Sequence, residues 1–351
     1  MGLIEDETDE VSRLCENVIG CSKLITCMTS LIRVDIQQTE SRQLTVCLRF
    51  PVDYPKNRLL IEFKSKTMSE TFIERFSKVC DAKAAEYVGK PQVMNMLKFV
   101  DSYLRDNPLC IVTEEIFNLK KLLEGTKGEL KLRQKSSTIC LTARGEPFHF
   151  SAKFQVPEPY PLQRIQWEDC DCNLPAALMR FVNGQAKEIA RQCVEPPLRQ
   201  LKSAPPFQAK PSLERTLRFI IEVMKGIPAE KCPICGDLSL ANDILTNPPT
   251  EEDDRFVIRM FCGHIYHQGC LKRFMSEPPF PPGGKICPAL KKHRWSDGIQ
   301  KIGAGTAKSE LCQQRVTHDK WGLNDVKSAE AKWAHQQARI RELEEVIDFM
   351  Q

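Results

Sequence analysis

Apolar and polar positions along the N-terminal two thirds of the chain follow a pattern that occurs twice. Leu44-Thr-Val-Cys-Leu-Arg-Phe50 alternates with period two, as a half-buried strand does, and is followed by Pro51-Val-Asp-Tyr54-Pro55 and a second apolar run, Leu59–Phe63. The pattern returns as Phe148–Phe154, then Tyr160-Pro161, whose tyrosine lies 106 residues after Tyr54, then Ile165–Trp167. Each Tyr-Pro predicts a turn that ends one strand before the next. The pattern then changes to helical spacing: Phe72, Phe76, Val79 and Cys80 within 69–87, and Leu178, Phe181, Val182, Ala186 and Ile189 within 175–193. A further helix closes each unit (92–104 and 212–224), and one precedes each sheet (6–18 and 113–123).

Gly226–Glu230 reads as a joint. Beyond Gly305, Trp333, Ile340, Leu343, Ile347 and Met350 recur at sevens, threes and fours, which predicts an amphipathic helix. At about three heptads it is marginal as a free coiled coil, so docking back onto the preceding domains is expected.

Composition adds little to this picture. Hydrophobic residues make up 42% and charged residues 27%, within the range of ordinary globular domains. A net charge of +4 gives no general argument for nucleic-acid binding, and no apolar run reaches membrane-span length. The acidic start, MGLIEDETDE, lacks the features of a secretory signal, so a cytoplasmic or nuclear location is expected.

Cysteine usage changes the picture. Of 16 cysteines, ten (Cys15 to Cys193) are scattered at irregular intervals, many in apolar stretches, as reduced packing residues are. Five others and three of the six histidines fall within 232–293: Cys232-x2-Cys235-x26-Cys262-x1-His264-x2-His267-x2-Cys270-x16-Cys287, then His293. Zinc takes four tetrahedral nitrogen or sulfur ligands, and pairs two residues apart fold into knuckles that present both to one ion. Eight candidates suit two ions. The Cys232/Cys235 and His267/Cys270 pairs would close one site, leaving Cys262/His264 to find partners further along.

This run resembles the RING-H2 family, in which ligands one, two, five and six hold one zinc and three, four, seven and eight the other. The resemblance implies a first site of Cys232, Cys235, His267 and Cys270 and a second containing Cys262, His264 and Cys287. The family's Cys-Pro-x-Cys is departed from at Cys287-Pro288-Ala289-Leu290. His293 is the expected eighth ligand, Cys312 the alternative, and an incomplete site the third possibility. The family's E2-facing positions fall on Ile234, Phe274 and Pro288, and its basic residue after the eighth ligand on Arg294 or Lys291.

A helix, a strand meander ending in Tyr-Pro and two further helices resemble the RWD domain, a relative of the E2 fold. Neither unit has the His-Pro-Asn of active conjugating enzymes, so Cys80, Cys170 and Cys172 are expected to be packing residues. Together these resemblances imply an α+β chain: RWD-like domains at 1–110 and 111–227, a cross-brace RING at 228–300, and a linker with an amphipathic helix at 301–351. That order is shared with RWD-RING E3 ubiquitin ligases and with the ligase subunit of the Fanconi anaemia core complex. The implied activity is noncovalent ubiquitin transfer with two Zn2+ ions. The implied partners are a ubiquitin-charged E2 and a protein substrate or complex subunits. The alternative is a zinc-binding scaffold or adaptor subunit with a degenerate RING.

Overall fold

The structure is a computed structural model that describes residues 2–197, 206–241, 244–260, 262–281, 284–290, 311–316, 332–341 and 343. It is a mixed α and β chain with antiparallel sheets, and one succession of elements occurs twice. Helix α1 (Leu3–Val18) leads into the meander β1 (Ser22–Cys27), β2 (Leu31–Gln37), β3 (Gln43–Arg49) and β4 (Leu60–Lys64), followed by α2 (Glu70–Ala85) and α3 (Val93–Asp106). Helix α4 (Thr113–Leu123) then leads into β5 (Glu129–Arg133), β6 (Thr138–Gly145), β7 (Phe148–Gln155) and β8 (Cys170–Cys172), followed by α5 (Ala176–Val194) and α6 (Leu213–Gly226). Contacts divide the chain into two compact units, 1–143 with 150–171 and 185–221, and 144–149 with 172–184 and 222–351.

The alternation read from the sequence is the burial pattern of the first sheet. Ile32, Val34 and Ile36 on β2 and Leu44, Val46 and Leu48 on β3 point inward, and the two strands pair in unbroken register from Leu31↔Arg49 to Gln37↔Gln43. Phe72, Phe76, Cys80 and Ala84 form the buried row of α2, whose start is capped by the Ser69 hydroxyl accepting from Phe72 N–H at 3.3 Å. Val79 is exposed, because a step of three from Phe76 rotates it off the row of fours. The expected strand at Ile165–Trp167 reduces to a single bridge, Gln155↔Gln166, while Ile165 and Trp167 remain buried. Strands β1 and β2 are joined by a tight turn in which Met28 and Leu31 exchange backbone hydrogen bonds. Its central Thr29-Ser30 lacks the Gly or Asn that marks such turns in sequence.

The Tyr-Pro repeats prove to be part of a buried polar cluster built twice. In the first, Glu7 of α1 accepts from the Tyr54 hydroxyl and from the first amides of α3, Gln92 N–H (2.9 Å) and Val93 N–H (2.8 Å). In the second, Glu115 of α4 accepts from the Tyr160 hydroxyl (2.7 Å) and from Glu214 N–H (2.9 Å) at the start of α6. Each tyrosine oxygen also accepts a helix amide, from Gln92 (3.2 Å) and Leu213 (3.1 Å). The residue five after each tyrosine, Leu59 or Ile165, donates its N–H to the side chain that enters the helix, Gln92 or Ser212. A carboxylate at a helix N-terminus satisfies amides that have no partner within the helix and meets the positive end of its dipole.

Cys80 is fully buried, and burial pushes its thiol up to about 12. That is the opposite of what a nucleophilic cysteine needs, and it fits the packing role expected.

Burial also pushes the Glu115 carboxyl up to about 7, against the lowering effect of the Glu214 amide and the Tyr160 hydroxyl. A folded-state value above the unfolded one means that the folded chain binds the proton more tightly. The associated stability is full at acid pH and is lost as pH rises from about 5 through 7. Thermal melts should therefore show a decline over that window, worth on the order of 1–3 kcal/mol, that Glu115→Gln largely removes. An unchanged pH profile in the variant would show that Glu115 is not the titrating group.

Candidate metal centre

Three short backbone devices bring the cysteines and histidines of 232–312 together. The first is a knuckle at Cys232-Pro-Ile-Cys235-Gly236, closed by Gly236 N–H on Cys232 O (2.9 Å) and Cys232 N–H on Asp237 O (2.8 Å). Gly236 takes φ +78°, a left-handed conformation that glycine adopts without steric cost. The second is the hairpin of β9 (Val257–Arg259) and β10 (Ile265–His267), with Cys262 and His264 in its turn. From β10 the chain passes directly into α7 (Gln268–Ser276), placing His267 and Cys270 at the junction. The third is the pairing of residues around Cys287 with those around Cys312.

These devices assemble two four-residue clusters, Cys232, Cys235, His267, Cys270 and Cys262, His264, Cys287, Cys312, with the ligand atoms of each within 4.8 Å of one another. The Nδ1 of His267 lies 3.4 Å from Cys235 Sγ and 3.9 Å from Cys270 Sγ, and that of His264 lies 3.4 Å from both Cys262 Sγ and Cys287 Sγ. A tetrahedral zinc with ordinary Zn–S and Zn–N bonds sets sulfur and nitrogen about 3.6 Å apart. None of the cysteines is in a disulfide. Donor set and spacing therefore fit zinc at both clusters.

The surroundings favour metal binding too. His267 Nε2 lies 3.1 Å from the Leu238 carbonyl, so its N–H donates there and leaves Nδ1 free as a ligand. The buried Tyr266 hydroxyl lies 2.8 Å from Cys287 Sγ, and Arg273 Nη2 approaches Cys270 Sγ at 3.8 Å. Cys232, Cys270, His264 and Cys287 are buried, whereas Cys235 is exposed.

Seven of the eight expected ligands are thus drawn into two groups, with the pairing expected from their order. The fourth member of the second group is Cys312; His293 lies outside the described residues, as do Arg294, Lys291 and Lys292. Ile234 and Phe274 are half-buried against the small core formed by Cys232, Met260, Tyr266, Leu271, Met275 and Val316, and Pro288 is exposed. Lys285 is buried. Its Nζ donates to the carbonyls of Phe274 and Glu277 at the end of α7 and stands 4.7 Å from the centre of the Phe274 ring. The acidic stretch 247–254 is tied to the start of α7 by Gln268 Nε2 on Glu251 O (2.7 Å) and Gly269 N–H on Asp254 O (2.9 Å).

Residues 332–341 are helical, and Trp333 packs edge-on against Phe280 at 5.6 Å, while Ile340 and Leu343 of the apolar stripe are exposed. Ile347 and Met350 lie outside the described residues.

The supporting groups Tyr266, Arg273 and the Leu238 carbonyl carry no sequence signal of their own. Tyr266 reads as an apolar strand residue, and a backbone carbonyl has no residue type. Compared with known proteins, the chain matches no family model and no curated protein.

Removing the donor to Cys287 with Tyr266→Phe should weaken zinc binding at the second cluster by about 10–100-fold and leave the first unaffected. Competition with a chromogenic chelator reads both sites. Equal weakening at both would mean that the substitution acts through the shared core.

Proposed function

We propose that the chain is a RING-type E3 ubiquitin ligase with two structural zinc ions, and that its two N-terminal repeats are RWD-like domains that recruit a protein substrate or complex subunits. The observation that carries this reading is the order of the clusters along the chain. Pairs from the two groups alternate, Cys232/Cys235, Cys262/His264, His267/Cys270, Cys287/Cys312. Such alternation ties the domain across itself, as the RING cross-brace does. The twofold succession of helix, four-stranded meander and two helices supports the recruitment half.

In this role the chain supplies no covalent nucleophile. A substrate amine attacks the thioester carbonyl of the charged E2, and the ligase contributes by holding donor and thioester in a reactive arrangement, which lowers the entropic part of the barrier. Ile234, Phe274 and Pro288 are the apolar positions that would receive E2 loops. Zinc replaces the hydrophobic core that three-residue strands and one nine-residue helix cannot supply.

The test is discharge of ubiquitin from a panel of charged E2 enzymes by the full chain. We expect discharge with at least one E2, reduced tenfold or more by Ile234→Ala while zinc content is unchanged. Absence of discharge above background across a broad panel would sink the ligase reading.

One observation favours an adaptor whose solo activity is weak. The family places a basic residue directly after the eighth ligand, where it contacts both E2 and ubiquitin. With Cys312 in that role the position is held by Gln313. Under this second reading Gln313→Arg should raise discharge severalfold at unchanged E2 affinity. No gain would argue that position 313 makes no such contact here.

A further inference from the structure

The first knuckle provides a reference for the second cluster. The residue before Cys232 bridges the third residue after Cys235, Lys231↔Leu238. Cys232 N–H donates to the carbonyl two residues after Cys235, that of Asp237 (2.8 Å), and Ser239 N–H donates back to Glu230 O (2.8 Å). The residue directly after Cys235, Gly236, has φ +78°. Around Cys287 and Cys312 every one of these features recurs at the same offset. Ile286 bridges Arg315, Cys287 N–H donates to Gln314 O (2.9 Å), and Val316 N–H donates to Lys285 O (2.9 Å). Gln313, directly after Cys312, has φ +52°.

Two cysteines that merely met from distant parts of the chain would have no reason to share this register. The backbone on either side of them is that of one knuckle, yet 22 residues, 290–311, stand between Ala289 and Cys312 in sequence. The ends of that segment meet. Cys312 N–H donates to Ala289 O at 2.8 Å, and Leu290 bridges Leu311. Joining Ala289 to Cys312 would give Cys-Pro-Ala-Cys, the spacing of Cys232-Pro-Ile-Cys235. The segment itself holds four Lys and one Arg against one Asp and one Glu, with three Gly.

We propose that residues 290–311 are an insertion within a complete zinc knuckle, and that a chain without them binds the second metal through the same Cys262, His264, Cys287 and Cys312, more tightly. The inference rests on the metal-centre reading and not on ligase activity. Tighter binding follows from chain entropy. Closing a knuckle across two intervening residues costs less than closing it across two plus 22.

The experiment compares the full chain with one lacking 290–311, both loaded with zinc and counted by elemental analysis, then challenged with a chromogenic chelator. Both should hold two zinc ions, and in the shortened chain the second should withstand on the order of tenfold more chelator. A shortened chain in which the second zinc is lost more readily than in the full chain overturns the proposal. Replacing 290–311 by a Gly-Ser segment of equal length separates loss of a ligand from a strained junction. Two zinc ions are expected there, and a drop to one would mean that the segment supplies a ligand such as His293. In the full chain Cys312→Ala should leave one zinc and His293→Ala two; the reverse overturns the assignment. No readout involves ubiquitin, so failure of the ligase reading is seen separately.

Discussion

In each N-terminal repeat, one carboxylate, buried at Glu7 and half-buried at Glu115, lies at the start of the last helix. Glu7 and Glu115 sit on the first helix of their repeats, yet their oxygens accept the leading amides of α3 and α6. A charge taken out of water is tolerable only if its lone pairs are satisfied, and here a tyrosine hydroxyl and helix amides do so. The constraint is mutual. Helix α3 has no capping side chain of its own, so without Glu7 the Val93 amide would be buried unpaired and the Gln92 amide would keep only its longer contact to the Tyr54 oxygen. First helix, post-strand turn and last helix are thereby fixed to one point, and the sheet between them acquires its covering layer.

The Cys/His-rich region solves the same problem by other means. Its strands are three residues long and its helix nine, so regular hydrogen bonding and apolar burial contribute little. Eight candidate ligands in two groups are placed where bound metal could stand in for that missing core, and a few apolar side chains, Tyr266 and Leu271 among them, pack beside them. Tyr266 belongs to both systems. Its ring is core and its hydroxyl points at a ligand sulfur, so packing and metal affinity are coupled in one residue.

Much of the fold was legible in the sequence. Helices α1 to α6 were expected within a few residues of where they lie, because each carries its buried row at spacings of three and four. Strands β3 and β7 were plain from alternation. The hairpin of β1 and β2 was not, since its Thr29-Ser30 turn lacks the residues that mark such turns. The Tyr-Pro repeats were visible as turns, but the carboxylate each tyrosine serves lies 47 or 45 residues earlier on a helix face, where a buried Glu looks like any solvated one.

By itself, the sequence determined the two groups of candidate metal ligands in outline, because knuckle spacing is a local property of a few adjacent residues. It also determined the repeat, through hydrophobic period. Only the tertiary structure decided which residue completes the second group. Cys312 lies 25 positions beyond Cys287, and no local spacing rule reaches across such a stretch. What selects it is the backbone register on either side, Ile286 with Arg315 and Lys285 with Val316, a pairing that exists only once the chain is folded.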